Sequence, residues 1–179
     1  MNLSDITPHL LHHFKSEHDL LKAIEEISLK FTKERSKIED YLKDPRLVSA
    51  YTAFYLTTNI PKLEAVFQWL PEEFLTAIQK SDFIDLGAGP GTFSLAWQEW
   101  GKEKLQGNVY QIETSSLMRE QAKKLWEGLY PEKKLLQSRS WQSQGSSSKF
   151  ILFGHSANEM GATDALNYIT AIDPEHILF

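Results

Sequence analysis

The 179-residue chain contains no cysteine. Disulfides, thiolate metal sites, iron–sulfur ligation and any cysteine nucleophile are therefore excluded for this chain. No apolar run reaches the length of a membrane span. Met1-Asn2-Leu3-Ser4-Asp5 has neither the basic start nor the apolar core of a signal peptide, so the cytoplasm is the expected location. Excess positive charge is also absent, the formal net charge being -5. A protein that binds nucleic acid by bulk electrostatics is usually basic, so this one would need a local patch. Lys30, Lys33, Arg35, Lys37, Lys43 and Arg46 form the best candidate, but Glu34, Glu39, Asp40 and Asp44 are interleaved with them, as on a solvated helix face. His9, His12 and His13 have no third ligand in view, and no metal site is expected.

What is present is an ordinary globular composition, 41% hydrophobic and 24% charged. Residues 1–79 read as a helical N-terminal region. Leu20, Leu21, Ile24, Ile27 and Phe31 recur at helical spacing, as do Leu63, Val66, Phe67 and Leu70. Prolines 8, 45, 61 and 71 are expected to divide this stretch into separate helices. From residue 80 the pattern changes to strands alternating with helices, which predicts a parallel sheet over 80–179. The strands are Phe83–Leu86, Val109–Ile112, Phe150–Phe153 and His176–Phe179, with Leu135–Gln137 as a short fifth. Helices follow at 92–100, around 117–126 and at 165–171, and Ser138 to Ser148 reads as a loop. The last strand reads as buried, so a sheet cut short at its C-terminal end is expected.

The first strand runs into Asp85-Leu86-Gly87-Ala88-Gly89-Pro90-Gly91-Thr92-Phe93, which opens a helix. Glycines there permit a tight turn at positive φ and a close ligand approach, and the helix N-terminus is expected to add free amide donors. Glu113 ends the second strand, 22 positions beyond Gly91, where a carboxylate can accept from both ribose hydroxyls. Its alternative role is that of neighbour to a helix cap at Thr114 or Ser115. The spacing is Gly-x-Gly-x-Gly, unlike the Gly-x-Gly-x-x-Gly that presents a helix to a pyrophosphate. Together these features predict a Rossmann-like α/β sheet carrying a nucleoside pocket formed by Asp85, Gly87, Ala88, Gly89, Gly91, Thr92 and Glu113.

This loop resembles motif I of class I methyltransferases, which implies S-adenosylmethionine as the cofactor. The resemblance gives Asp85 the role of anchoring the methionine end; a turn cap is the other reading. It also places an adenine contact near Trp141. The stretch Tyr41-Leu42-Lys43-Asp44-Pro45-Arg46, continuing through Ser49–Tyr55 to Asn59-Ile60-Pro61-Lys62, is similar to the lead-in of the small-ribosomal-subunit methyltransferase-like family. Gly154-His155-Ser156-Ala157-Asn158-Glu159-Met160 fits the same family. That resemblance implies the small ribosomal subunit or its rRNA as partner and methyl acceptor. Mitochondrial members carry a cysteine cluster for a metal centre, which this chain cannot build.

Methyl transfer from a sulfonium depends mainly on alignment, so few acid–base residues are needed. Carbon-5 methylation of a pyrimidine needs a cysteine and is excluded; the Asn/Asp-Pro-Pro-aromatic signature of amino methylation is absent. Asn158 and Glu159 are candidates for touching substrate, or else are loop and cap residues, and His155 reads as a structural loop histidine. Tyr51, Tyr55 and Asn59 either close over the cofactor or pack between helices and sheet. The expectation is an S-adenosylmethionine-dependent methyltransferase. The alternative is a non-catalytic ribosome assembly or binding factor that keeps the pocket. A nicotinamide oxidoreductase is disfavoured by the loop spacing.

Overall fold

The computed structural model describes residues 1–33, 42–142, 147–154, 156 and 160–179, with Lys33 described by its backbone only. Arg35, Lys37, His155, Asn158 and Glu159 lie outside the described residues. The sheet is organised around β1 (Asp82–Leu86), buried along its whole length. A strand covered on both faces requires such an unbroken buried run. β2 (Val109–Ile112) and β4 (Lys149–Leu152) pair with it in parallel, one on each side. β3 (Leu135–Ser138) and β5 (His176–Leu178) complete a five-stranded parallel sheet of order β3-β2-β1-β4-β5. This is the Rossmann-like architecture expected, and the strand order reverses beside β1, where such sheets open a crevice. β5 differs from expectation. It is a half-buried edge strand, because it has a neighbour on one side only.

Alternation of side chains along the strands makes two cores. Phe83, Val109, Phe150 and Leu152 point to one face. There they meet Leu95, Ala96 and Trp97 of α6 (Thr92–Gly101) and Leu125 and Trp126 of α7 (Ser116–Leu129). Phe83 stacks on Trp97 with ring centres 4.9 Å apart. Ile84, Leu86, Tyr110, Ile112 and Ile151 point to the other face, against Ala165 and Ile172 of α8 (Ala162–Ile172).

The N-terminal region comprises α1 (Leu3–Ile6), α2 (Glu17–Lys33), α3 (Pro45–Tyr51), α4 (Thr57–Phe67) and α5 (Glu72–Lys80). Ile6, Ile60, Leu63, Phe67 and Ile78 enter the same core as Phe83 and Trp97, so α1, α4 and α5 are built into the sheet's flank, whereas Ala23 and Ile27 of α2 and Leu47 and Val48 of α3 form a separate cluster with Met118 of α7. Pro45 opens α3 behind an Asp44 cap, whose side chain accepts from the Arg46 amide at 2.8 Å. Pro61, expected to separate two helices, instead lies inside α4. Its missing amide removes only the bond to the Thr57 carbonyl. The irregularity in this stretch falls upstream, where Thr52–Leu56 forms a wide π-helical turn that carries no sequence period of its own.

The segment after α1 is strapped to α7. Gln121, fully buried, accepts from the Leu11 amide and donates to the His9 carbonyl, both at 2.9 Å. Its amide thus imitates a strand partner. The Ser49 hydroxyl oxygen accepts from the His12 amide at 2.8 Å and ties the strap to α3 as well. Gln121→Leu would keep the volume but strand two backbone groups, and should lower stability by about 2–4 kcal/mol. Urea unfolding measures the loss. Faster hydrogen exchange at the Leu11 amide would locate it, and unchanged exchange there would refute the strap.

Candidate functional site

The glycine loop joins β1 to α6 and turns through three left-handed residues, Gly87, Gly89 and Gly91, at φ 72°, 55° and 84°. Two of them are also pinned by space. A Cβ at Gly87 would run into Ser156, and one at Gly91 would lie 2.5 Å from Gln111 Nε2. The Ser156 hydroxyl donates to the Leu86 carbonyl, so the segment after β4 is tied directly to the loop.

The amides of the glycine loop itself are engaged within the protein, as is that of Ser94 in the first turn of α6. Gly87 and Ala88 both donate to the Ile112 carbonyl, at 2.8 and 3.1 Å, and Gly91 donates to Ala88 at 2.9 Å. Gly89 donates to Glu113 Oε2 at 2.9 Å. Ser94, in the first turn of α6, gives its amide at 2.9 Å and its hydroxyl at 2.7 Å to Asp85 Oδ2. The loop is therefore a shaped wall, with its donors spent on holding that shape.

Asp85 is fully buried and does not line the cleft. It anchors α6 from below, at the end of the helix where an anion is favoured. Burial pushes its carboxyl up to about 7, against the two Ser94 hydrogen bonds that lower it, and the nearby Glu113 charge adds to the rise. In register beside Asp85 stands Gln111 on β2, followed by Gln137 on β3. Gln137 Nε2 donates to Gln111 Oε1 at 2.8 Å and to the Arg119 carbonyl at 3.0 Å. Asp85 Oδ1 and Gln111 Nε2 are buried without a partner among the described residues. A polar row thus crosses three strands under the loop.

Glu113 links the loop to α7. One oxygen accepts from Gly89, and the other accepts from the Ser115 amide at 2.7 Å. Ser115 in turn caps α7 through Met118. The guanidinium of Arg119 donates to the carbonyls of Glu113 and Thr114 at 2.5 and 2.9 Å, which fixes this turn. Glu113 thus stands beside the Ser115 helix cap and also lines the cleft.

The cleft has a volume of about 610 Å³, the size of a small-molecule site. Gly87, Ala88, Gly89, Thr92 and Glu113 line it together, whereas Gly91 turns beneath its floor. Trp141 lies apart, in a depression of about 100 Å³ beside Tyr110, with ring centres 5.7 Å apart. Tyr51 and Asn59 reach the cleft wall and Tyr55 does not; it packs on Tyr51 and Phe31 instead. Arg46 is held by Glu26 at 2.5 Å and approached by Asp44, so its charge is locally compensated. Among the described residues no three His, Asp or Glu side chains converge on a metal-binding geometry. No described helix is long and apolar enough to cross a membrane.

Sequence reasoning did not assign several wall residues to the site, among them Arg139 after β3, Phe93 at the start of α6, and Asp164 and Tyr168 on α8. Met160, Asp164 and Tyr168 recur at i, i+4, i+8. Met160 precedes Gly161, which opens α8 at φ 82°, so only Asp164 and Tyr168 share a helix face, and an i, i+4 pair does not reveal what it faces.

Two predictions follow from this geometry. Asp85 has a folded pKa near 7, above its ordinary 3.8, so its contribution to stability is full below pH 3.8 and is lost as pH rises towards 7. The difference in Tm between wild type and Asp85→Asn should therefore move in favour of the variant across that window and stay constant above it. Parallel pH curves would refute the burial argument. Gly91→Ala combines a positive φ with the collision at Gln111 and should cost about 1–3 kcal/mol. Gln111→Ala in the same chain should recover only the part due to the collision, as read by urea unfolding.

No protein-family model and no curated protein sequence matches this chain. Among solved structures, the SAH-bound methyltransferase PaMTH1 of Podospora anserina is similar over 90% of this chain and 58% of its own, at 14% identity and a TM-score of 0.39. The chain spans less than two thirds of the length of that protein.

Proposed function

We propose that this chain binds S-adenosylmethionine across the glycine loop and acts in the cytoplasm as a methyltransferase, with the small ribosomal subunit or its rRNA as acceptor. The observation that carries the donor half of this reading is the Glu113 carboxylate, set against a glycine loop whose amides are already engaged. A dinucleotide would need those amides for its pyrophosphate. A ligand with a ribose and no phosphate needs only the carboxylate and a close-fitting wall. The acceptor half rests on the resemblance of residues 41–62 and 154–160 to the small-subunit family.

S-adenosylmethionine, when bound, supplies an electrophilic methyl group on a positively charged sulfur. The chain would hold it with Glu113 at the ribose and with Gly87, Ala88, Gly89 and Thr92 along its length. Asp85 acts through Ser94, keeping the first turn of α6 in place.

Calorimetric titration of S-adenosylmethionine into the chain tests this, with NAD as competitor and Glu113→Ala alongside. Micromolar binding that NAD does not displace is expected, weakened in the variant by tenfold or more, about 1.4 kcal/mol. No binding in a folded chain would overturn it and would favour the assembly-factor alternative.

A further inference from the structure

The two ends of the cleft differ in chemistry. Glu113 just after β2 and Arg139 just after β3 stand on one side of the glycine loop. Met160, Asp164 and Tyr168 stand on the other, beyond β4. If the ribose lies at Glu113, the α8 end is the part of the cleft left for a second ligand.

That end is built from flat apolar surfaces and one carboxylate. Phe93 and Tyr168 present rings and Met160 a thioether, all half-buried. The Phe93 ring is seated against Gly154, where a Cβ would collide with it, so its position in the wall is fixed. Such walls accept a planar ring, through stacking or sulfur–aromatic contact. Asp164 is exposed and has no hydrogen-bond or ion-pair partner among the described residues. It sits in the first turn of α8, where an acidic residue would also favour the helix, yet it does not bond back to the Gly161 amide at the cap. An ionised carboxylate can only accept, so a ligand held here must donate. An anionic group would be repelled.

Resting on the methyl-donor reading above, we propose that the α8 end of the cleft is the acceptor pocket, and that it takes a planar ring bearing an N–H or O–H donor, neutral or cationic, with Asp164 accepting from that donor and Tyr168 packing on the ring. Carboxylate and phosphate acceptors are thereby disfavoured. A nucleobase edge and a small phenolic alkylamine share this chemistry.

The test uses two probes of one shape and opposite charge, benzamidine and benzoate, titrated into the full chain saturated with S-adenosylhomocysteine and followed by ligand-observed NMR. Benzamidine should bind about tenfold more tightly than benzoate, and Asp164→Asn should remove most of that preference. Tyr168→Ala should weaken both probes, because it removes the ring contact and leaves the charge. Thermal melts of both variants confirm that they fold. Displacement of benzamidine by cytidine identifies a nucleobase, and displacement by tyramine a free amine; either supports the proposal. Displacement by neither, equal binding of the two probes, or a preference that survives Asp164→Asn overturns it. S-adenosylhomocysteine affinity is read in its own titration. A chain that selects benzamidine but does not bind S-adenosylhomocysteine overturns the methyl-donor reading and not the chemistry of this pocket.

Discussion

Asp85, one residue from the end of the central strand, is buried inside the protein, and its carboxylate holds the amide and the hydroxyl of Ser94. The start of α6 is thereby tied to the end of β1. The glycine loop closes the short gap between them with left-handed turns at Gly87, Gly89 and Gly91. Burying a carboxylate this deeply is unfavourable, which is why its proton affinity rises. The helix N-terminus and the two Ser94 bonds offset part of that cost. The position of the loop, and with it the floor of the cleft, depends on this one anchored group.

Because α6 is fixed in this way, the loop amides turn inward. Ile112, Ala88 and Glu113 accept from them, and little of their donor capacity remains for a ligand. The same glycine-rich connection that elsewhere cradles phosphate is a rigid, nearly neutral wall here. Selectivity then passes to the side chains around it. Glu113 is held between two amides on one side of the loop, and Asp164 has no described partner on the other. The strap over α7 and the helices built into the core brace the elements that carry Met118 and Tyr51 to the cleft wall.

Much of this was legible beforehand. The strands around 83, 109 and 150 showed as short apolar runs, since strands covered on both faces select apolar residues, whereas the half-buried edge strand at 135 showed only as a weak one. The glycine loop and Glu113 were legible because strand, turn and acid fall at a spacing that local geometry enforces. Pro61 was misread as a helix boundary, because one lost hydrogen bond is tolerable where tertiary packing holds the helix.

Sequence alone therefore determined the strand–loop–helix unit, the parallel sheet and the carboxylate at Glu113, all of which follow from short-range periodicity and backbone sterics. Tertiary structure alone decided that Asp85 supports the loop from beneath, that Trp141 stands in a separate depression, and that Asp164 and Tyr168 share the cleft with Glu113. The physical reason is distance along the chain. Hydrogen-bond partners such as Gln121 and His9, or wall residues such as Tyr51 and Tyr168, are brought together by burial of the common core, and burial leaves no local mark on the residues it unites.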